Sequence, residues 1–463
     1  MYYSVYQYSC LTSPSLLAPA QQSSFSKYYT VDFADLLYTF EDQPSDIQFA
    51  LTYNPSMPLT PDLIDDSMKY YVTNIVKIQY LLGDGNRLPI MVYNTVTSHD
   101  ISRAAVKLLS YTYNARHNQT SNARVLDDES LSPQLVSIRD RLSQKEKGRV
   151  LKEDDAMAAL HVVSLFLFDG GCGDWATYLV FATHYVIQFL TTRARDYYND
   201  FAQAMAQATD KEQFVIKTTI WFDVLASITT QREPVLMNII DGLFHPSPSG
   251  IFAPRPYTMM EPMGCENHVV WAMARASQLA QWKRNHVRLG DLSVNELVQR
   301  ATEIETWLHP DSTPIPAYSS AGLAQPTEAD PMDAPRRHSS ELFRSATKLF
   351  IQSIVSDNLP HVKEIKRCVD EIARTLASIQ TSTACSSIVR STVFPLFICG
   401  ALTDDLLHRR QVLLALERGI VSEGVGNTRT ISTLLQEIWN TDRKRSDPVR
   451  WRQVLKNYKV LLV

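Results

Sequence analysis

Residues 390–407 read RSTVFPLFICGALTDDLL. This is an apolar run broken by Pro395 and closed by Gly400, after which Thr403-Asp404-Asp405 opens a new amphipathic helix. Proline lacks the N–H that a continuing helix needs, and glycine is the usual residue at a helix end. Acidic residues at a helix start are favoured by the positive end of its dipole. The pattern is therefore helix, break, helix, and no catalytic chemistry can be read from it.

Working outward, His361–Gln380 places Val362, Ile365, Val369, Ile372, Leu376 and Ile379 at alternating spacings of three and four, a narrow seam against a partner helix. Thr60-Pro61-Asp62 reads as a helix start, with Met68, Tyr71, Val72, Ile75, Ile78 and Leu82 following at helical spacing and Gly83 as the stop. Further helices are expected over Ile101–Tyr113, Ala156–Phe168, a segment carrying Trp175, Tyr178, Leu179, Ala182, Val186 and Phe189, then Lys211–Thr230, Asn267–Arg284 and Val294–Leu308. The highly charged stretch Arg116–Asp155 reads as a long loop or weak helix. Strand signals are poor: Ile90–Val96 is the one tempting run, and Asn94 weakens it. The fold class expected is all-α, a multi-helix bundle or array of antiparallel helices with long irregular loops.

Residues 1–58, rich in Tyr, Ser, Gln and Pro, are expected to be loosely ordered, with short helical pieces near Val31–Phe40. Residues 59–463 form one helical domain. Within it 310–337, holding six prolines with Ser, Thr and Ala, reads as a disordered linker.

The chain has 463 residues, 45% hydrophobic and 20% charged, with a net charge of −4. That charge gives no overall electrostatic footprint for nucleic acid. No stretch reaches the ~18–20 apolar residues that span a bilayer, and the start lacks the charged and apolar regions of a signal peptide. The six cysteines (10, 172, 265, 368, 385 and 399) are scattered and never spaced as C-x-x-C, so neither a disulfide scaffold nor structural zinc is expected.

Phosphate-loop, metalloprotease, nucleophile-elbow and kinase signatures are missing. Gly170-Gly171-Cys172-Gly173 sits between two helices and reads as a tight turn in preference to a phosphate cradle, since no strand precedes it. Asp404-Asp405 lacks the further aspartate of a magnesium-binding D-D-x-x-D motif, because His408 stands in its place; Asp65-Asp66 meets Lys69. Histidines 161, 184, 268 and 286 are not paired at i, i+4 and read as core or surface residues. Trp175, Trp221, Trp271, Trp282 and Trp307 read as core packing. Arg443-Lys444-Arg445 is as consistent with a solvated loop as with a nuclear localisation patch. Arg336-Arg337-His338-Ser339 resembles a basic-directed phosphorylation site. No catalytic, cofactor or metal residue is assigned, and no enzyme is expected.

Several separated segments, in order, resemble the fungal-specific transcription factor domain, the all-helical regulatory region that usually follows a binuclear zinc cluster in fungal gene regulators. They are Met68–Ile75 with Gln79–Leu82; Ala159–Trp175 with its glycine turn; Thr219-Ile220-Trp221-Phe222-Asp223-Val224-Leu225-Ala226; Met263–Asn267 with Trp282-Lys283; Phe394–Gly400; Gly424-Val425-Gly426-Asn427; and Pro448–Arg452. The likeness covers about residues 60–463. It implies a nuclear transcription regulator, with partners in the transcription machinery or a homo- or heterodimer partner. Members of that family carry six clustered cysteines that bind two zinc ions and place a helix in the major groove. Here only Cys10 lies in the first 170 residues, so DNA contact is expected only if a zinc cluster upstream of a late-starting gene model, or a partner, supplies it. A structural adaptor in a chromosome-associated assembly is one alternative; an all-α magnesium-dependent enzyme, disfavoured by the broken aspartate motif, is the other.

Overall fold

The computed structural model describes residues 68–118, 124–127, 131–245, 257–308, 330–379, 385–423, 425–441 and 447–463. The expectations for 1–58, for the Thr60-Pro61-Asp62 helix start, for Asp65-Asp66, for most of 310–337 and for the basic cluster 443–445 fall outside these residues. Among the described residues every regular element is helical. The longer helices are α1 (Arg87–Ser98), α2 (Asp100–Asn118), α3 (Ser132–Lys147), α4 (Glu153–Phe168), α5 (Trp175–Ala194), α6 (Asp210–Thr230), α7 (Met237–Phe244), α8 (Asn267–Leu289), α9 (Val294–Thr306), α10 (Asp333–Val355), α11 (Lys363–Ile379), α12 (Val393–Ala401), α13 (Leu406–Glu423), α14 (Thr428–Asn440) and α15 (Trp451–Tyr458). None is long and apolar enough to cross a membrane.

Helix α4 is apolar on every side, and every residue from Asp155 to Phe168 is buried. A helix of that kind must be enclosed by others, and α4 lies between α2 and α5. Its start is fixed by Asp155, whose carboxylate accepts the Lys152 N–H at 3.0 Å. Helix α6 is enclosed in the same way, against α5, α8 and α15. It opens with a capping box: Thr209 Oγ1 accepts from Glu212 N at 3.3 Å, and Glu212 Oε2 accepts from Thr209 N at 2.7 Å. Such a reciprocal cap satisfies two N–H groups that no helical carbonyl reaches. Helices α8, α10, α11, α12 and α14 extend the same continuous core toward the C-terminal half.

The seam read in α11 is real: Ile365, Val369, Ile372, Leu376 and Ile379 are all buried, against α10 and α13. The Pro395 reading is corrected. Pro395 lies in the first turn of α12, where N–H groups have no helical acceptor in any case, so it does not break the run. Gly400 does not close that helix either; it lies inside it. A Cβ there would stand 2.8 Å from Leu435 Cδ1, so glycine is what lets α14 approach. Asp405, the real start signal, caps α13 by accepting from Leu407 N at 2.7 Å.

Two further segments differ from expectation. The charged stretch holds a full helix, α3, anchored by buried Ile138 and Leu142. Residues 333–337, expected in a linker, open helix α10. Arg336 is buried there, donating Nε–H to the Leu82 carbonyl at 2.8 Å and pairing with Asp330 at 2.6 Å. Ser339 has no exposure, which removes Arg336-Arg337-His338-Ser339 as an accessible kinase site in this fold. The signal was lost because Arg336 reads as polar in sequence, while its partner carbonyl lies 254 positions away.

Candidate functional site

Several of the segments singled out in the sequence, around Gln79, Gly171, Trp221 and Asn427, converge on one buried junction. The glycine turn between α4 and α5 runs with positive φ at Gly170, Gly171 and Gly173, +101°, +79° and +117°, a backbone open to glycine at little cost. It presents its polar groups to the C-terminal segment. Leu461 N–H donates to the Gly171 carbonyl at 2.9 Å, and Gly426 N–H donates to the Phe168 carbonyl at 3.3 Å. Asn427 Nδ2 donates to the Leu461 carbonyl at 2.8 Å and to an oxygen of Val463 at 3.0 Å. Trp175 Nε1 donates to the Lys459 carbonyl at 2.7 Å. The turn therefore docks protein backbone. A Cβ at Gly171 would stand 2.9 Å from the Asn427 Cβ, leaving no room for a phosphate.

Beneath the junction lies a cavity of about 100 Å³, lined by Gln79, Ser164, Trp221, Arg390 and Asn427 among others. Gln79 holds its polar side, accepting from the Tyr71 hydroxyl and donating to Ser164 Oγ at 2.8 Å. This volume is below the ~300–1,000 Å³ of drug-sized ligand sites.

Three ionisable groups, on α4, just after it and on α6, are buried. Asp169 accepts from the Val125 and Leu126 N–H groups at 2.9 and 3.0 Å, with Arg116 and Arg124 at 3.6 and 3.5 Å. Burial pushes its carboxyl up despite those neighbours. Asp223, next to Trp221 and Phe222, is 4% exposed. It accepts from Val235 N at 3.1 Å and Leu236 N at 2.8 Å, holding the turn that leads into α7. Burial raises its pKa to about 6, against the lowering effect of those two N–H groups. His161 is fully enclosed, its ring edge-on to Tyr71 with centroids 5.8 Å apart. Neither ring nitrogen has a hydrogen-bond partner among the described residues. Burial lowers its pKa to about 3, so it is neutral.

His184, His268 and His286, and Cys265, Cys368 and Cys399, do not line the junction's cavity. Among the described residues no three His, Cys, Asp or Glu side chains are grouped to hold a metal ion. His184, His268 and His286 face single carboxylates, those of Glu146, Glu266 and Asp291. Cys265, Cys368 and Cys399 are buried free thiols whose pKa burial raises. Trp175, Trp221 and Trp271 are buried, and Trp221 meets Phe343 edge-on at 4.8 Å. Trp271, Trp282 and Trp307 border a groove of about 670 Å³ with Arg275 and Arg300. Those guanidiniums pair with Asp241 at 2.9 Å and Glu296 at 2.8 Å. The sequence reading missed Asp169, whose role is set by residues 43 and 44 positions away.

The family model described as the fungal specific transcription factor domain matches residues 68–463. Among curated proteins the chain is similar to "Transcription factor ntnD" of a Nectria species, 23% identical over 385 residues, covering 80% of this chain and 61% of that protein. It is also similar to the "ustiloxin B cluster transcription factor ustR" of Aspergillus flavus, 26% identical over 192 residues, covering 40% of this chain and 31% of that protein. The chain thus spans about three-fifths of the first relative and less of the second. No solved structure matches. With an all-helical body among the described residues and a family match from Met68 to Val463, the chain belongs to the fungal-specific transcription factor domain family.

Proposed function

We propose that this chain is the helical regulatory region of a transcription regulator of the fungal zinc-cluster type, acting in the nucleus on genes read by RNA polymerase II. The observation that carries the reading is the family match across residues 68–463; both relatives are named as transcription factors. The junction supports it. Its polar groups are spent on holding chain segments to one another, which is what a body that transmits contacts needs and what a catalytic pocket does not. The partners are proteins of the transcription machinery or a homo- or heterodimer partner, with DNA contact supplied by a zinc cluster or by that partner.

The test is a fusion of the full chain to a heterologous DNA-binding domain at a reporter in a fungal host. Reporter output should move several-fold in either direction, and Trp221→Ala should abolish the change. A folded, nuclear fusion that leaves the reporter untouched would overturn the regulatory reading and favour an adaptor role at chromosomes.

A further inference from the structure

Along the first half of α6, sharing Pro262 with the cavity beneath the junction, lies a cleft of about 890 Å³ between α1, that half-helix and residues 257–262. Its walls include Leu88, Met91, Phe214, Tyr257 and Pro262, of which all but Met91 are buried. That size falls in the range of sites for drug-sized molecules, about 300–1,000 Å³, and the lining combines these apolar residues with polar ones, Asn94, Gln213 and Lys217 among them.

Three cations line it. Arg87 pairs with Asp210 at 2.5 Å across the mouth. Lys211 pairs with Glu153 at 3.1 Å and Asp154 at 2.9 Å. Lys217 is different: no carboxylate lies within ion-pair distance among the described residues, and its Nζ donates to the Glu261 backbone carbonyl at 2.9 Å. An ammonium carries three N–H donors, so one is used here. The nearest opposite charges, Glu261 and Asp210, act on it only at longer range, and burial depresses its pKa. A partly buried cation without a counterion is unfavourable unless a partner arrives.

We infer that this cleft binds a small amphipathic carboxylic acid, its carboxylate on Lys217 Nζ and its apolar body along Met91, Phe214 and Tyr257. A carboxylate accepts the two remaining N–H donors as charge-assisted hydrogen bonds, which are roughly twice as strong as neutral ones. The apolar walls supply affinity without specificity, and Lys217 supplies the choice of acid over neutral analogue. Binding itself does not depend on the transcriptional role; coupling to output would.

The experiment uses 4-phenylbutanoate and its uncharged analogue 4-phenylbutanamide, titrated calorimetrically into the full chain. The acid should bind at least tenfold more tightly than the amide. Lys217→Met should bring the acid down to the amide's affinity and leave the amide within about twofold. A second measurement needs no variant: in the wild-type protein, reductive methylation with peptide mapping should show Lys217 protected by the acid and not by the amide. Equal affinities of acid and amide, loss of neither with Lys217→Met, or no binding of the acid up to millimolar concentration would each overturn the site, as would methylation of Lys217 unaffected by saturating acid. None of these outcomes bears on the reporter fusion, so the site and the regulatory reading fail separately.

Discussion

Replacing His161 with leucine should stabilise this protein, and by more at pH 5 than at pH 7. His161 has no solvent exposure, and neither ring nitrogen finds a partner among the described residues. Burying an unpartnered polar group costs about 1–3 kcal/mol. Its one specific contact is the edge-on meeting with Tyr71, of a kind worth about 0.5–1.5 kcal/mol. Leucine has a similar volume and a good helix propensity, so the expected net gain at pH 7 is about 1 kcal/mol. The pH effect adds to this. Burial lowers the imidazole from 6.5 to about 3, so the unfolded chain takes up a proton well before the folded one. The stability contributed is complete above about 6.5 and is lost as pH falls toward 3. At pH 5 the wild-type loss is about 2 kcal/mol, from 1.36 kcal/mol per pH step. Leucine has no such loss, so the gap between variant and wild type should widen by about that amount. Urea denaturation at both pH values, read as midpoints at equal slope, measures it. A leucine variant less stable than wild type by the same amount at pH 7 and pH 5 would refute the reasoning, since it would mean that His161 is hydrogen-bonded in the native protein.

Trp221→Ala should cost about 3–5 kcal/mol, because it removes a buried ring packed on Phe343; urea denaturation checks it. For Asp223 the pH sign is reversed: with its pKa raised from 3.8 to about 6, stability is full below about 3.8 and is lost as pH rises through 6, roughly 3 kcal/mol in all. Asp223→Asn should abolish that slope while losing one backbone hydrogen bond, so its stability relative to wild type should improve by about that amount from pH 4 to pH 7. Gly171→Ala places a Cβ against Asn427 at a φ of +79°, and amide exchange at Leu461 should accelerate at least tenfold.

Where burial is one-sided and local, the sequence was legible. The α11 stripe follows from spacing alone, because its apolar residues recur on one side of the helix. Expectation failed where a distant element decided the outcome. Pro395 and Gly400 look like punctuation, yet one occupies a first turn and the other makes room for Leu435 from another helix. An acid within a helix ordinarily faces water, yet Asp223 is buried, because the N–H groups it accepts from belong to the turn that follows α6. Lys217 could not be distinguished from Lys211 in sequence, since the difference lies in which carboxylates α4 brings near one and not the other.

The same reasoning explains why no single motif identified the family while the ordered set did. The junction is built from Phe168 and Gly171, from Gly426 and Asn427, and from Leu461, residues separated by as many as 293 positions, with Trp221 lining the cavity beneath. Each contribution is locally unremarkable: a helix end, a turn, an extended tail. Gly171, at positive φ, both closes α4 by donating to the Phe166 carbonyl and offers its own carbonyl to Leu461, while Asn427 places two amide bonds on the tail. Removing one partner leaves buried backbone groups unpaired on the others, at about 1–3 kcal/mol each. The constraint is therefore on the combination, and it acts through folding of the helical body as a whole. A regulatory output that depends on this body should fail together with its stability for junction variants, and separately from it for variants of surface contacts.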